Sequence, residues 1–126
     1  MEKKTILIVD DETDLLKLLN ERLTNKGYSV ITADNGDDGI RLAREKKPDL
    51  IILDILMPGI SGTEVAQTLK GEPGTKTMPI IFLTCLYTRE DAAVRGHNIK
   101  GNFFIAKPFD ADMLLAEIEN HLQADA

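Results

Sequence analysis

Residues 50–64 read LIILDILMPGISGTE, and this segment decides the fold. Its four aliphatic residues in a row predict a β-strand covered on both faces, because a strand with one wet face alternates apolar and polar side chains. The run stops at Asp54, and Pro58 four residues later is typical of a turn. Ser61 and Glu64 have the spacing of a capping box, in which each side chain satisfies a free amide at a helix start. The segment therefore predicts a buried strand, a loop and a helix.

Short apolar runs alternate with helical periods along the rest of the chain as well. The further strand-like runs are residues 6–9, 30–33, 80–83 and 103–105. The run at 30–33 is more polar than the others, which predicts a place nearer the sheet edge. A charged, weakly amphipathic segment at 89–95 is the fourth of five predicted helices. Five strands that alternate with five helices predict a doubly wound α/β fold, with a five-stranded parallel sheet of (βα)5 type, as one domain over residues 1–126.

Composition and charge narrow the class of protein. Of the 126 residues, 43% are apolar and 29% are charged, as in a soluble globular protein. The net charge of −6 repels phosphate backbones, so we expect no direct nucleic-acid binding. No apolar run approaches the ~18 residues of a membrane span, and the first residues do not resemble a signal peptide. The single cysteine, Cys85, has no internal disulfide partner, which together with these features predicts a cytoplasmic protein.

Reactive side chains follow the predicted strands at the point where each strand ends. They are Asp10 and Asp11 after the first strand, Asp54 after the third, Thr84 after the fourth and Lys107 after the fifth. In an open doubly wound sheet, ligands bind beyond the carboxyl ends of the strands, where the winding reverses. Taken singly, each of these residues is more often structural than functional. Their convergence at one edge of the sheet predicts a functional site.

The chemistry of this residue set favours a metal ion and a phosphoryl group. Three carboxylates at one place repel one another unless a positive charge lies among them. Mg²⁺ prefers oxygen ligands and keeps several of its waters, so it is the cation that we expect there. Lys107 adds a second positive charge. The set predicts a site in which a carboxylate attacks a phosphoryl group in line while Mg²⁺ and Lys107 neutralise charge.

Four sequence segments resemble the signature blocks of response-regulator receiver domains. They are Val9-Asp10-Asp11-Glu12, residues 53–62 (LDILMPGISG), Leu83-Thr84 and Ala106-Lys107-Pro108-Phe109. The resemblance covers essentially the whole chain, in order and at compatible separations. It implies a flavodoxin-like sheet with strand order 2-1-3-4-5. It also implies a phosphorylation-dependent signalling switch of a two-component phosphorelay, which assists its own phosphorylation and is not otherwise an enzyme.

Carried over residue by residue, the resemblance implies a role for the residues at the strand ends. Asp54 would be the phosphoacceptor, taking its phosphoryl group from a sensor histidine kinase or a histidine phosphotransfer protein. Asp10, Asp11 and Asp54 would hold Mg²⁺ together with the backbone carbonyl of Leu56. Lys107 would pair with the phosphoryl oxygens.

The resemblance also implies a conformational switch. Thr84 would hydrogen-bond to the phosphoryl oxygens, and its movement would make room for the ring of Phe104. The surface formed by the fourth helix, the fifth strand and the fifth helix would then change and control a downstream protein or an effector domain outside this chain. The peptide bond between Lys107 and Pro108 would be cis and would aim the lysine. The alternative for Phe104 is a core residue without a switching role.

The sequence departs from the pattern of the family at several positions. Cys85 follows the threonine, where alanine is usual, and residues 94–103 lack the usual Ala-Gly-Ala-Asp approach to the last strand. Leu56 and Leu86 are apolar beside the expected phosphoryl group, and we hypothesise that they hinder water and slow the loss of phosphate.

Two histidines are present, and neither belongs to this pattern. His97 and His121 have no neighbours at metal-ligand spacing, so we expect both to be solvated surface residues.

Three other functions stay open on the residues alone. A Mg²⁺-dependent phosphohydrolase of the haloacid-dehalogenase type needs a second acid two residues after its nucleophile, and Leu56 occupies that position. A nucleotide or flavin binder needs a glycine-rich loop after the first strand, where residues 10–14 read DDETD. A degenerate receiver used only for binding would lack part of the five-residue site, which is complete here. The sequence does not distinguish a stand-alone receiver from part of a longer protein.

Overall fold

The structure, a computed structural model, describes residues 3–84, 97–99, 102–107 and 109–124, with backbone alone for Thr84, 97–99, Asn102 and 123–124. The strands of this part of the chain are β1 (Thr5–Val9), β2 (Ser29–Ala33), β3 (Leu50–Asp54), β4 (Ile80–Thr84), β5 (His97–Ile99) and β6 (Asn102–Ala106). The helices are α1 (Thr13–Asn25), α2 (Gly36–Lys46), α3 (Gly62–Lys70) and α4 (Ala111–Ala124). Of these helices, none has the length and the apolar character that a membrane crossing requires.

The described strands form one sheet in the order β2-β1-β3-β4-β6-β5. Five of them are parallel, in the order that the resemblance implied for a flavodoxin-like doubly wound sheet, so that prediction is confirmed. β2 lies at one edge, as its more polar sequence predicted. The sixth strand, β5, was not predicted, and it pairs antiparallel with β6, with His97 opposite Phe104. The helix predicted at 89–95 lies outside the described residues.

Two apolar layers cover the sheet, because successive side chains of a strand point to opposite faces. Ile6 and Ile8 of β1 pack in the layer under α1 and α4, which we call layer one. Leu7 and Val9 pack in the layer under α2 and α3, which we call layer two. All four side chains are fully buried, and each contributes roughly 1.5–3 kcal/mol of hydrophobic stabilisation. Burial on both faces explains the unbroken aliphatic runs.

The ends of the helices follow local chemistry. The predicted capping box of α3 is present, with the amide of Glu64 donating to Ser61 Oγ at 3.2 Å and the Glu64 side chain accepting from the Ser61 amide. Asn35 caps α2 by accepting from the amide of Asp38 at 2.9 Å. After α1 the chain turns at Gly27, whose φ of 98° is left-handed and favours glycine. These caps satisfy free amides at the starts of α2 and α3, which follow the carboxyl ends of β2 and β3.

Candidate functional site

Adjacent strands bring two buried carboxylates together at the carboxyl edge of the sheet. β1 pairs with β3, and Val9 lies opposite Leu53, so Asp10 and Asp54 leave neighbouring strands at the same level. Asp10 is 0% exposed and Asp54 is 3% exposed. The amide of Asp10 donates to the carbonyl of Ala33 at 3.1 Å, which holds this strand end against β2. A buried carboxylate is costly unless it has partners, so the surroundings of this pair decide its chemistry.

Asp11 completes an acidic cluster with these two residues. Asp10, Asp11 and Asp54 each offer one carboxylate oxygen, and the three oxygens lie within 4.8 Å of one another. Asp11 is exposed, so the cluster is open to water on its side. Mg²⁺ prefers oxygen ligands and retains several waters when it binds to a protein. The donors are carboxylate oxygens and one side of the cluster is open to water, so their chemistry fits Mg²⁺.

The loop after β3 fixes Asp54 through its backbone. The amide of Leu56 donates to Asp54 Oδ1 at 3.3 Å, while the role predicted for the Leu56 carbonyl as a metal ligand stays a prediction. Gly62 starts α3 and donates its amide to the carbonyl of Ile55 at 2.9 Å. A Cβ atom at Gly62 would lie 2.1 Å from the carbonyl oxygen of Asp54, closer than atoms can approach. Glycine at this position lets the helix start pack directly on the backbone of Asp54.

Lys107 contacts the acidic cluster from the end of β6. Its Nζ lies 2.8 Å from Asp10 Oδ2, 2.9 Å from Glu12 Oε1 and 3.4 Å from Asp54 Oδ2. The lysine side chain is 13% exposed, so these ion pairs are partly shielded from water. Burial lowers the pKa of Lys107, but the hydrogen bonds to Asp10 and Glu12 outweigh burial and hold the pKa above its ordinary value. The lysine is therefore charged at neutral pH.

The pKa of Asp54 is raised, whereas an ion pair with a cation lowers the pKa of a carboxyl group. Burial raises the pKa of Asp54 to about 6, and the charge of Asp10 contributes to the rise. Lys107 and the amide of Leu56 oppose it and do not cancel it. At neutral pH the carboxylate is the main form, although its charge is held at a cost in free energy. A cation bound between the carboxylates would relieve that cost.

Sequence reasoning missed Glu12 as a member of the site. Glu12 stands at the N-cap of α1, and its side chain makes no capping hydrogen bond to the helix. Its amide donates to Asp10 Oδ1 at 2.9 Å, and its carboxylate contacts Lys107. Glu12 belongs to the run of acidic residues after the first strand, and this position indicated that it lies near the site. Spacing along the chain gave no sign that this side chain would meet the lysine from the last parallel strand.

Thr84 and Phe104, the two residues of the predicted switch, lie on neighbouring strands. Thr84 ends β4 opposite Ala106 of β6, so its backbone lies at the edge that carries the site, while its side chain lies outside the described part of the structure. The half-buried ring of Phe104 stacks on Phe82 with centroids 5.1 Å apart and planes 21° apart. It also packs against layer two. This packing agrees with the alternative of a core residue, and the switching role stays a prediction.

Several other predicted positions can be placed or set aside. Pro108, and with it the predicted cis peptide bond, lies outside the described residues, as do Cys85 and Leu86. His121 was expected to be solvated, but it is partly buried, because its ring packs edge-on against Phe103 with centroids 4.8 Å apart. Its Nδ1 lies 2.8 Å from the carbonyl oxygen of Glu117, one turn earlier in α4. The side chain of His121 therefore serves packing, and His121 is not one of the residues of the acidic cluster.

Comparison with known proteins gives the family. The family model described as response regulator receiver domain matches residues 6–119. The transcriptional regulatory protein GlrR of Escherichia coli is 41% identical over 123 residues, and the phosphate regulon transcriptional regulatory protein PhoB of Pseudomonas aeruginosa is 38% identical over 119 residues. These matches cover 96% and 94% of this chain and 27% and 52% of the two proteins. The chain thus spans about half or less of the curated relatives it matches.

Solved structures agree with the family model. A CheY-like response regulator receiver domain protein of Methanospirillum hungatei superposes with a TM-score of 0.83 at 28% identity, over 98% of this chain and 96% of that one. The response regulator protein TrrA of Thermotoga maritima, solved in complex with Mg²⁺-BeF, superposes with a TM-score of 0.77 at 36% identity, over 94% of this chain and 99% of that one. These superpositions agree with the fold of this chain. This chain belongs to the response-regulator receiver domains of two-component systems.

Proposed function

We propose that this receiver domain is a phosphorylation-dependent switch that takes a phosphoryl group onto Asp54 with the help of Mg²⁺. The observation that supports the proposal most is the arrangement around Asp54. Carboxylate oxygens of Asp10 and Asp11 lie within 4.8 Å of it, and the charged Nζ of Lys107 lies 3.4 Å away. A carboxylate nucleophile, a cation site and a fixed ammonium group are the components that phosphoryl transfer to a carboxylate requires.

The Mg²⁺ ion would be held by Asp10, Asp11 and Asp54, with the backbone carbonyl of Leu56 as a further ligand. When bound, it would supply positive charge that neutralises the phosphoryl oxygens during the transfer. TrrA of Thermotoga maritima, at 36% identity, was solved in complex with Mg²⁺-BeF, which supports the choice of this ion. The donor set of this chain is all oxygen, as Mg²⁺ prefers.

The transfer itself would be a substitution at phosphorus. A carboxylate oxygen of Asp54 attacks the phosphorus of a phosphohistidine, and the phosphorus–nitrogen bond breaks. The electron pair of that bond stays on the imidazole, whose other nitrogen carries a proton, so a neutral ring leaves. The amide of Leu56 holds Asp54 Oδ1 at 3.3 Å, which orients the attacking carboxylate. Hydrolysis of the aspartyl phosphate by water would later return the domain to its starting state.

Two residues would bind the phosphoryl group and respond to the phosphorylation of Asp54. Lys107 would bind a phosphoryl oxygen, and the hydroxyl of Thr84 would bind another, drawing Thr84 towards the site. Phe104 lies on β6, beside β4, and its ring stacks on Phe82 of β4. A shift of the end of β4 would therefore move the ring of Phe104. We propose that this coupling changes the surface around β6 and α4. The phosphoryl group would act by favouring one of two pre-existing conformations.

The partners that we propose are those of the family. The upstream partner would be a sensor histidine kinase or a histidine phosphotransfer protein. The downstream partner would be another protein or an effector domain, since GlrR and PhoB are named as transcriptional regulatory proteins and are longer than this chain. We place the reaction in the cytoplasm, and we propose no direct contact of this domain with nucleic acid or membrane.

We propose a switch in preference to a turnover phosphohydrolase. The acid that a haloacid-dehalogenase mechanism needs two residues after its nucleophile is replaced here by Leu56, which is apolar and cannot protonate a leaving group. A nucleotide binder is disfavoured because acidic residues, including Asp10 and Asp11, line the edge where phosphates would lie. A receiver used only for binding is disfavoured because the three acids cluster within 4.8 Å and Lys107 pairs with two of them, Asp10 and Asp54.

The proposal is tested by labelling the chain with radioactive acetyl phosphate in the presence and absence of Mg²⁺. We expect metal-dependent incorporation of phosphate in the wild type, loss of incorporation in Asp54→Ala, and incorporation at the wild-type rate in Asp14→Ala. Asp14 is an exposed aspartate in the first turn of α1, so it controls for the removal of one negative charge. A folded wild type that takes no label in Mg²⁺ would contradict the proposal.

A further inference from the structure

The charged end of Lys107 contacts three carboxylates. An ammonium group has three N–H donors and no acceptor. This one donates hydrogen bonds to Asp10 at 2.8 Å and to Glu12 at 2.9 Å, and it forms an ion pair with Asp54 at 3.4 Å. A phosphoryl oxygen that approaches Lys107 therefore competes with these carboxylates for the ammonium group.

Glu12 is the carboxylate whose displacement costs least. Its side chain is 62% exposed, whereas the side chains of Asp10 and Asp54 are 0% and 4% exposed. A surface carboxylate that loses its partner regains water, and exposed ion pairs are weak. A buried carboxylate that loses its partner is left as an uncompensated charge in the protein interior. The phosphoryl group would therefore exchange places with Glu12 and leave the contact with Asp10 intact.

We infer that Glu12 is a positioning residue that competes with the incoming phosphoryl group for Lys107 and thereby slows the phosphorylation of Asp54. This inference rests on the proposed function. Glu12 stands outside the group of three acids that would hold Mg²⁺, so it acts through the lysine and not through the metal. The same side chain makes no capping bond to α1, so the local structure of the helix start does not depend on it.

The exchange of partners balances within a single transfer step. With acetyl phosphate as donor, an oxygen of Asp54 forms a bond to phosphorus, the bond from phosphorus to the acetyl oxygen breaks, and acetate leaves with that electron pair. Lys107 remains protonated and moves one hydrogen bond from Glu12 Oε1 to a phosphoryl oxygen. The carboxylate of Glu12 turns to water. No oxidation and no further reactant are involved.

The test compares labelling rates from acetyl phosphate in Mg²⁺ for the wild type, Glu12→Ala, Glu12→Asp and Asp14→Ala. We expect Glu12→Ala to be labelled about two- to fivefold faster than the wild type, the range expected for release from one exposed ion pair. Glu12→Asp keeps the charge and shortens the side chain by one methylene group, so it should also be faster. Asp14→Ala removes the same charge from the same helix turn and should be labelled at the wild-type rate.

A second measurement does not depend on the donor. Beryllofluoride mimics the phosphoryl group on an aspartate, and its binding in Mg²⁺ can be followed by amide NMR shifts. We expect Glu12→Ala to bind beryllofluoride about two- to fivefold more tightly than the wild type does. A role of Glu12 limited to the structure of α1 would change the thermal unfolding midpoint and leave this affinity unchanged.

The outcomes separate the two proposals. Labelling of the wild type, with no acceleration and no tighter binding in Glu12→Ala, would overturn the inference while the proposed function stands. Acceleration in Asp14→Ala equal to that in Glu12→Ala would assign the effect to net charge and overturn the inference as well. Absence of labelling in a folded wild type would contradict the proposed function, and the inference would fall with it.

Discussion

The amide nitrogen of Leu56 lies 3.3 Å from Oδ1 of Asp54, and the side chain of the same leucine is 48% exposed. One residue thus binds the proposed nucleophile through its backbone and presents an apolar side chain to solvent beside it. An apolar side chain cannot orient water for attack on an acyl phosphate. The lifetime of the phosphorylated state should therefore depend on this position more than on other exposed leucines.

Replacement of Leu56 by asparagine should accelerate the loss of phosphate. The amide side chain can hold and orient a water molecule, and we expect dephosphorylation to be roughly threefold to tenfold faster, well below the effect of a positioned general base. The measurement is the decay of labelled phosphoprotein after removal of the donor. Leu18→Asn is the matched control, since Leu18 is 45% exposed on α1. Equal rates of phosphate loss in Leu56→Asn and the wild type would contradict the proposed role of this side chain.

The raised pKa of Asp54 predicts how stability depends on pH without metal. The folded protein holds this proton up to a pKa of about 6, against an ordinary value of 3.8, so folding is favoured by protonation. The contribution of this group is complete below about pH 4 and is lost as pH rises through about 6. Asp54→Asn should therefore be more stable than the wild type at pH 7.5, by roughly 1 to 3 kcal/mol.

The check is urea unfolding in a chelator at pH 4.5 and pH 7.5. The advantage of Asp54→Asn should shrink at the lower pH, because the wild-type carboxyl is then protonated in the folded state. Lys107 keeps Asp10 and Glu12 as partners in this variant, so it does not become an unpaired charge. An advantage of the same size at both pH values would show that charge on Asp54 is not its cause.

Addition of Mg²⁺ should stabilise the wild type against unfolding. A ligand that binds only the folded state, at 100 times its dissociation constant, adds about 2.7 kcal/mol to the free energy of unfolding. Asp11→Ala should lose most of this gain, since it removes one of the three carboxylates. Asp34→Ala is the matched control, because Asp34 is an exposed acid directly after β2 at the same sheet edge. Equal stabilisation of both variants would place the ion elsewhere.

Gly62→Ala should be costly for both folding and phosphorylation. Its Cβ would lie 2.1 Å from the carbonyl oxygen of Asp54, so the backbone must shift, at roughly 1–3 kcal/mol. The labelling rate should fall as well, because the displaced backbone carries the nucleophile. Gly71→Ala is the control, since among the described residues a Cβ there would meet only the Gln67 carbonyl oxygen at 3.4 Å and the Thr68 carbonyl oxygen at 3.6 Å. The stability of both variants is measured by chemical denaturation, and their phosphorylation by labelling. Similar losses of stability and of labelling rate in the two variants would contradict the steric argument.

The parts of the fold that the sequence predicted are those with a strong local signal. The aliphatic runs of β1, β3 and β4 show burial on both faces, and Ser61 with Glu64 shows a helix start. β5 has no such signal, since three residues are too short for a period to appear. Its antiparallel pairing with β6 is decided by the tertiary structure at the sheet edge.

The sequence predicted the site residues that follow strand ends. It missed Glu12, whose contact with the site depends on the direction of its side chain. Asp10, Asp54 and Lys107 meet because parallel strands place their carboxyl ends at one edge. Glu12 meets Lys107 across 95 positions of sequence, and only the direction of its side chain brings it there. Periodicity predicts faces and edges, whereas the direction of an exposed side chain depends on three-dimensional surroundings.

The hydrogen bond between Lys107 and Asp10 joins residues 97 positions apart. During synthesis the first acid of the site is made long before its counter-charge, and a nascent chain that ends after β4 contains Asp10 and Asp54 without the lysine. Such a chain would carry mutually repelling carboxylates in its interior, which opposes stable packing of the unfinished sheet. Competence to take up phosphate should therefore appear only when β6 has joined the sheet. For this domain, reactivity towards a phosphoryl donor should report on completed folding as well as on signalling.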